Sequence, residues 1–305
     1  MHYASSRTMD ITPEGLFQRL VVEGNGHYCF GLSTLFMEMI RGLGYRAYPG
    51  AGRINAQLAP NLPPIFVPFR HMVIFVQPKD GNETYLTDAC GGGSCITNPI
   101  LLANGQTVMG TSPTETHTLV RSAHPKSSLG NALTYDPPFK SSPRGPNASV
   151  EWHLIIRHKK PSGDLSERVC YSFLEDEFFQ TDFDSANVSV YSEERGYFVN
   201  NLICSKCFWL SADEMEMLAE SGPKRNGGNA SKKITNASVP LTHRYMGRLG
   251  MEGNTVRRHV GPRSEIIRTM KTEMDRIEAL RDIFGVDIPP QDICFMKDRV
   301  PALDR

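Results

Sequence analysis

Cys29, His71 and Asp88 are the three side chains whose types and spacing could together perform nucleophilic chemistry. Cys29 stands just before, or in the first turn of, the apolar stretch CFGLSTLFMEMIRGLG, where the unpaired N–H groups and positive dipole end of a helix favour a thiolate. His71 and Asp88 flank the turn-forming PKDGN (78–82). HMVIFV (71–76) and ETYLTD (83–88) read as the strands of an antiparallel hairpin, so the two side chains fall at the same end of neighbouring strands, within about one step of register. A carboxylate beside an imidazole fixes its tautomer and stabilises its charged form, which is what a Cys/His pair requires of a third member. Taken singly, each residue has another reading: a small buried apolar residue for Cys29, a half-buried strand residue for His71, and a strand-ending turn residue before Gly91-Gly92-Gly93 for Asp88.

Other candidates carry less. Cys204 and Cys207 have C-x-x-C spacing, but no second ligand pair follows as a structural zinc site requires, so no metal is expected. Gly91-Gly92-Gly93-Ser94 lacks the lysine and the helix of a phosphate loop, and reads as backbone that a cofactor or acyl group can approach closely. His153, His158 and His243 have no evident partner, and Met37, Met39, Met270 and Met274 read as core packing at helical spacing.

The elements that must position these groups follow from periodicity. Thr12 as cap, Pro13 at the first helical position and Leu16, Phe17, Leu20 and Val21 predict a first helix ending near Gly24. The segment after Cys29 is apolar almost all round, which predicts a buried helix stopped by Gly42 and Gly44. Strands are expected at RAYPGAGRIN, HMVIFV, ETYLTD, VEWHLIIRHK (150–159) and RVCYSFLE (168–175), with a hairpin turn at PSGDL (161–165). Helices are expected at 211–220, opened by a Ser211/Glu214 capping box, and at 264–284, with Ile266, Met270, Met274, Ile277 and Leu280 on one face and Gly285 as stop. Helix first and strands later indicates an α+β fold. The Pro/Ser/Gly-rich stretch 136–149 reads as a loop and the polar 221–238 as a flexible insertion.

Composition bounds the function. The 305 residues balance 33 Lys and Arg against 33 Asp and Glu, leaving no basic footprint for nucleic acid or a membrane surface. No apolar run approaches the roughly 18 residues of a membrane span and the first residues lack a signal-peptide core, so an intracellular, cytoplasmic protein is expected, its seven cysteines mostly buried thiols. Five N-x-S/T sequons, Asn187 among them, therefore carry little weight.

HYCFGLSTLFMEMIRGLGY, HMVIFVQ…TYLTDACGGGS…TNP, TDFDSANVSVYS and FVNNLICSK together resemble the arylamine N-acetyltransferase family, of a fungal type, from about residue 2 to 285. The resemblance implies a papain-like core: N-terminal helices (1–45) carrying the nucleophile, a central antiparallel β-barrel (46–175) carrying His and Asp, an interdomain segment (176–210), and a C-terminal α/β lid (211–305). It carries the triad over as Cys29, His71 and Asp88, and by position suggests Gly91, Gly92 and Asn200 for the cofactor. It also implies ping-pong transfer of an acetyl or similar short acyl group from acyl-CoA to arylamines, hydrazines or N-hydroxyarylamines. Departures accompany it: Asn25-Gly26-His27 replaces the family's R-G-G run, Gly31 and Ser33 replace Glu and Asn, Cys90 and Gly91 replace Gly and an often aromatic residue, and helices that precede this segment in the family are missing. A papain- or transglutaminase-like cysteine hydrolase, or a catalytically impaired relative, are the alternative readings.

Overall fold

The computed structural model describes residues 2–90, 92–94, 96–127, 150–160, 162–220 and 245–303. The loop expected at 136–149 and the insertion expected at 221–238 lie outside these residues, as do Gly91 and His243.

The chain opens with α1 (Pro13–Leu16), which runs into a π-helical segment (Phe17–Val22), followed by α2 (Cys29–Gly42). Thr12 caps α1 as expected, its Oγ1 accepting from Gly15 N at 3.2 Å. From Phe17 the bonding widens, with Glu23 N donating to Gln18 O, and this turn is out of phase with the four-residue spacing of the apolar stripe. Leu16 is buried while Phe17 and Val21 are exposed. α2 likewise buries one face only: Phe30 and Met37 face the barrel, whereas Met39 and Leu43 are exposed, so the all-round burial expected for this helix is not found.

Eight antiparallel strands follow: β1 (Arg46–Ile54), β2 (His71–Gln77), β3 (Tyr85–Thr87), β4 (Ile100–Leu101), β5 (Thr107–Met109), β6 (Glu115–Ala123), β7 (Val150–Lys159) and β8 (Leu165–Phe173). They form one nearly closed sheet in the order β4-β3-β2-β1-β8-β7-β6-β5. Val73, Phe75, Leu86, Leu119, Leu154 and Phe173 fill its interior. The outer face of β1 and β2 packs against α2 and α3 (Gln180–Ser192) through Met72, Ile74, Phe30 and Phe183. After α4 (Tyr197–Asn200), strands β9 (Ile203–Trp209), β10 (Met246–Glu252), β11 (Thr255–Val260) and β12 (Arg263–Thr269) make a second sheet, ordered β12-β11-β10-β9. α5 (Ala212–Glu220) opens with the Ser211/Glu214 capping box expected for it. The fold is thus mixed α+β, with the helix-first order read from the sequence.

The helix expected over 264–284 is two elements. Residues 263–269 form edge strand β12, whose adjacent β-branched Ile266 and Ile267 are exposed, and Arg257 pairs with Ile266 across a bulge after Val256. Helix α6 (Glu273–Ala279) starts only at its own capping box, Asp275 N to Thr272 Oγ1 at 3.1 Å and Thr272 N to Asp275 Oδ2 at 3.0 Å, and ends through a π turn at Gly285 in the left-handed region. Met270 is buried, but Met274, expected in the core, is 44% exposed.

One buried ion pair joins the two sheets. Glu115 on β6 receives both terminal nitrogens of Arg248 on β10, Nη2 at 2.9 Å, with His117 and His158 beside it. Burial opposes the charge on Glu115, but the Arg248 hydrogen bonds and charge hold its carboxyl below the usual range. Replacing Arg248 with Met leaves a buried carboxylate without its partner, and urea unfolding at pH 7 should report a loss of about 3 kcal/mol. A depressed carboxyl pKa gives stability above the ordinary carboxyl range that is lost as pH falls, so the difference between wild type and Arg248→Met should shrink in acid.

Candidate active site

Tyr28 caps α2 in extended conformation without a side-chain cap bond, so Cys29 begins the helix with its first N–H groups left for another acceptor. The phenol of Tyr28 instead donates to Asn187 Oδ1 on α3, and Asn187 Nδ2 donates to Met9 O at 2.7 Å, tying the start of α2 to α3. Asn187 is buried there, which removes it as a glycosylation acceptor. The altered loop before Cys29 is internally matched. A Cβ on Gly31 would meet the His27 ring at 2.3 Å, so the histidine occupies the volume that a side chain at 31 would take. Burial lowers His27 to about 4, so it sits there as neutral imidazole near the carbonyls of Asp10 and Tyr28.

His71 is the first residue of β2 and lies opposite Gly52 of β1. Ile74 pairs with Thr87, so continuing the ladder by one residue sets Val73 opposite Asp88 and makes His71 and Asp88 a diagonal pair on one face. Their contact is direct: His71 Nε2 lies 2.8 Å from Asp88 Oδ2, with both side chains almost wholly buried. Asp88 also accepts from Cys90 N at 2.8 Å, and Tyr171 on β8, whose ring centroid lies 4.8 Å from that of His71, is close enough to favour its charged form. With Nε2 committed to Asp88, Nδ1 is the ring nitrogen left for Cys29, whose nearness favours the charged imidazole; the Cys29 thiol itself donates to Arg70 O at 3.7 Å.

Burial alone would strip His71 of its proton. The charge and hydrogen bond of Asp88, together with the Cys29 contacts, override it and push His71 up to about 10. Burial would likewise raise Asp88, but His71, Cys90 N–H and Tyr171 hold its carboxyl below the usual range. The pair is therefore charged at neutral pH. By contrast, burial lowers His117 and His153 to about 4, and neither has such a partner arrangement.

The positions suggested for the cofactor differ in setting. Gly92 has φ +55°, which favours glycine, and a Cβ on it or on Gly93 would meet nothing within 4 Å, so this backbone borders open space. Ser94, at the end of the same turn, accepts from Arg168 Nη2 at 2.6 Å. Asn200 donates to Glu194 O at 2.7 Å and Gly196 O at 3.0 Å, so its amide donors close the 194–200 turn. Cys204 and Cys207 sit on exposed-edge strand β9, and among the described residues no three His, Cys, Asp or Glu side chains gather as a metal site. Among those residues, too, no helix is long and apolar enough to cross a membrane.

A family model described as N-acetyltransferase matches residues 1–235. The chain belongs to the arylamine N-acetyltransferase family. N-malonyltransferase FDB2 of Fusarium pseudograminearum is 22% identical over 300 residues, covering 96% of this chain and 74% of that protein. Arylamine N-acetyltransferase of Mycobacterium tuberculosis is 33% identical over 96 residues, 32% of this chain and 33% of its own. The fold resembles arylamine N-acetyltransferase from Mycobacterium abscessus at TM-score 0.65, with 16% identity over 98% of this chain and 81% of the other. It also resembles the Mycobacterium marinum enzyme in complex with CoA at TM-score 0.60, with 19% identity over 96% and 79%. Family membership makes the chain an acyl-CoA-dependent N-acyltransferase.

Three contributors to this arylamine N-acetyltransferase-family site escaped the sequence reading. Tyr171, Asn187 and Arg70 act on the triad region through contacts between distant segments; only Asn187 had a sequence signal, inside TDFDSANVSVYS. A histidine pKa raised by a partner gives stability that is full below the ordinary value of about 6.5 and is lost as pH rises through the folded value. NMR of ring-labelled protein should therefore show the His71 resonance unchanged through neutral pH and titrating near 10. In Asp88→Asn the same resonance should titrate far lower; an unchanged midpoint would contradict the assignment.

Proposed function

We propose that the chain transfers an acetyl or similar short acyl group from acyl-CoA to the nitrogen of arylamines, hydrazines or N-hydroxyarylamines by a ping-pong mechanism, with Cys29 as nucleophile. The observation that carries this reading is the buried His71–Asp88 ion pair, with the remaining imidazole nitrogen given to Cys29. Cys29 as thiolate attacks the thioester carbonyl, a new carbon–sulfur bond forms, the bond to CoA breaks, and His71 supplies the proton that leaves with the CoA thiol. One thioester replaces another, so this half-reaction is nearly balanced.

The acceptor nitrogen then attacks the acyl-Cys29 carbonyl, gives its proton to His71, and expels the Cys29 thiolate, which restores the pair. Asp88 holds the imidazole in one orientation and stabilises its charge in both halves. The Cys29 N–H at the start of α2 is positioned to receive the developing oxyanion. Open backbone at Gly92 and Gly93 is the approach for the pantetheine arm. Aromatic amines suit this site because they are neutral at pH 7 and attack without losing a proton first, whereas alkyl ammonium ions cannot. The assembled triad favours an active enzyme over an impaired relative.

Incubation with acetyl-CoA alone should give a covalent acetyl adduct in intact-mass spectra, absent in Cys29→Ser and discharged by an added arylamine. No adduct would contradict the acyl-enzyme, and an adduct lost to water as fast as to amine would indicate a hydrolase instead.

A further inference from the structure

We infer that Arg53 is a positioning residue for the acyl transfer: stacked on Phe69, it fixes the Phe69–Arg70–His71 step and with it the aim of the imidazole at Cys29. The inference rests on the acyl-Cys29 reading above. Asp88 holds Nε2 alone, so the direction of the opposite ring nitrogen follows the backbone of His71. That backbone starts β2, just where Arg70 O accepts the Cys29 thiol at 3.7 Å.

The approach to β2 is tied to β1 at two places. Val67 N donates to Ile54 O at 3.0 Å, and Arg70 N donates to Gly52 O at 3.1 Å. Pro68 between them has no N–H to give. Arg53 lies between the two acceptors and Phe69 between the two donors, and their side chains meet: Arg53 Cζ is 3.7 Å from the centroid of the Phe69 ring. The Phe178 ring stands 5.7 Å from that of Phe69, centroid to centroid, and Phe69, Phe178, Phe183 and Phe30 wall a cavity that His71 borders.

The guanidinium is committed to that ring. Its Nε is enclosed without a hydrogen-bond partner and lies 3.6 Å from Oε1 of Glu151, whose side chain is 5% exposed. Ser172 and His153 follow Arg53 in register across β8 and β7, and Ser172 Oγ and His153 Nε2 are likewise buried without partners. A cation in such a patch gains from a ring face in low dielectric, and a planar guanidinium lies flat on the ring as an ammonium cannot. Arg53 therefore acts on the base through Phe69.

The test uses the full chain with Arg53→Lys, which keeps the charge facing Glu151 but loses the plane, with Phe69→Leu, and with the two combined. Iodoacetamide labelling of Cys29 in folded protein near pH 6 should slow about tenfold in each, because a base displaced by part of an ångström loses its hold on the thiol. The combination should be no slower than either alone, since one contact is lost in all three. The deficit should shrink above about pH 9, where a thiol ionises unaided, and Phe69→Tyr, which keeps the ring, should label at the wild-type rate. Acetyl adduct formation from acetyl-CoA should slow in step with labelling. The His71 NMR resonance should still titrate near 10 in Arg53→Lys, because its pairing with Asp88 is untouched. If Arg53→Lys does not fold, Arg53→Met with Glu151→Gln, which leaves no buried charge, takes its place. A Cys29 labelling rate that the Arg53 variant leaves unchanged, or losses that multiply in the combination, would overturn the role of Arg53 and leave the acyl-enzyme standing. A His71 midpoint that falls together with the labelling rate would place the effect on the Asp88 pair and overturn the inference. No acetyl adduct on wild-type Cys29 would overturn the acyl-enzyme and this inference together.

Discussion

The buried pairing of His71 with Asp88 is the constraint on which the rest of the site depends. Each ion loses several kcal/mol of hydration on full burial, and a pair in such surroundings persists only when its remaining hydrogen-bonding positions are filled. Asp88 meets that demand with Cys90 N–H and His71 itself, and Tyr171 beside the pair further favours its charge. These groups come from the β2–β3 hairpin and from β8 on the other side of β1, so the curvature of four neighbouring strands brings them around the carboxylate.

The nucleophile comes from outside the sheet. α2 packs on the outer face of β1 and β2, and Ser33 and Thr34 reach Met72 there, with Ser33 Oγ donating to Met72 O at 3.4 Å. Met72 follows His71, so the helix carrying Cys29 is registered against the residue next to its own base. The Tyr28–Asn187–Met9 chain then fixes the start of the helix, and His27 over Gly31 fills the loop whose sequence departs most from the family pattern. That departure is accommodated locally and leaves the geometry of Cys29 with His71 in place.

Much of this was legible in the sequence because it is local. A cysteine at a helix start and a His and an Asp at matching ends of a hairpin are set by spacing, and β2 and β7 read as short apolar runs bounded by turns, buried over five and six consecutive residues. Caps at Thr12, Ser211 and Gly285 were readable for the same reason. The failures share another cause. Over 263–284, Ile266, Met270, Ile277 and Leu280 follow a helical count, but the first lies on an edge strand and faces solvent while the last two pack in the core. No local period marks where a strand hands over to a helix; the Thr272 cap does. Tyr171 on Asp88, Glu193 on Arg70 and Arg248 on Glu115 join segments far apart in the chain, and only folding reveals them.

The central claim is that Asp88, through His71, sustains the reactivity of Cys29. Alkylation of the intact protein near pH 6, followed cysteine by cysteine by peptide mass spectrometry, tests it most directly in wild type and Asp88→Asn. The account predicts that wild-type Cys29 reacts well ahead of the other cysteines and that Asp88→Asn removes most of that lead. Uniform reactivity among the wild-type thiols, or a Cys29 lead that survives Asp88→Asn in folded protein, would contradict it.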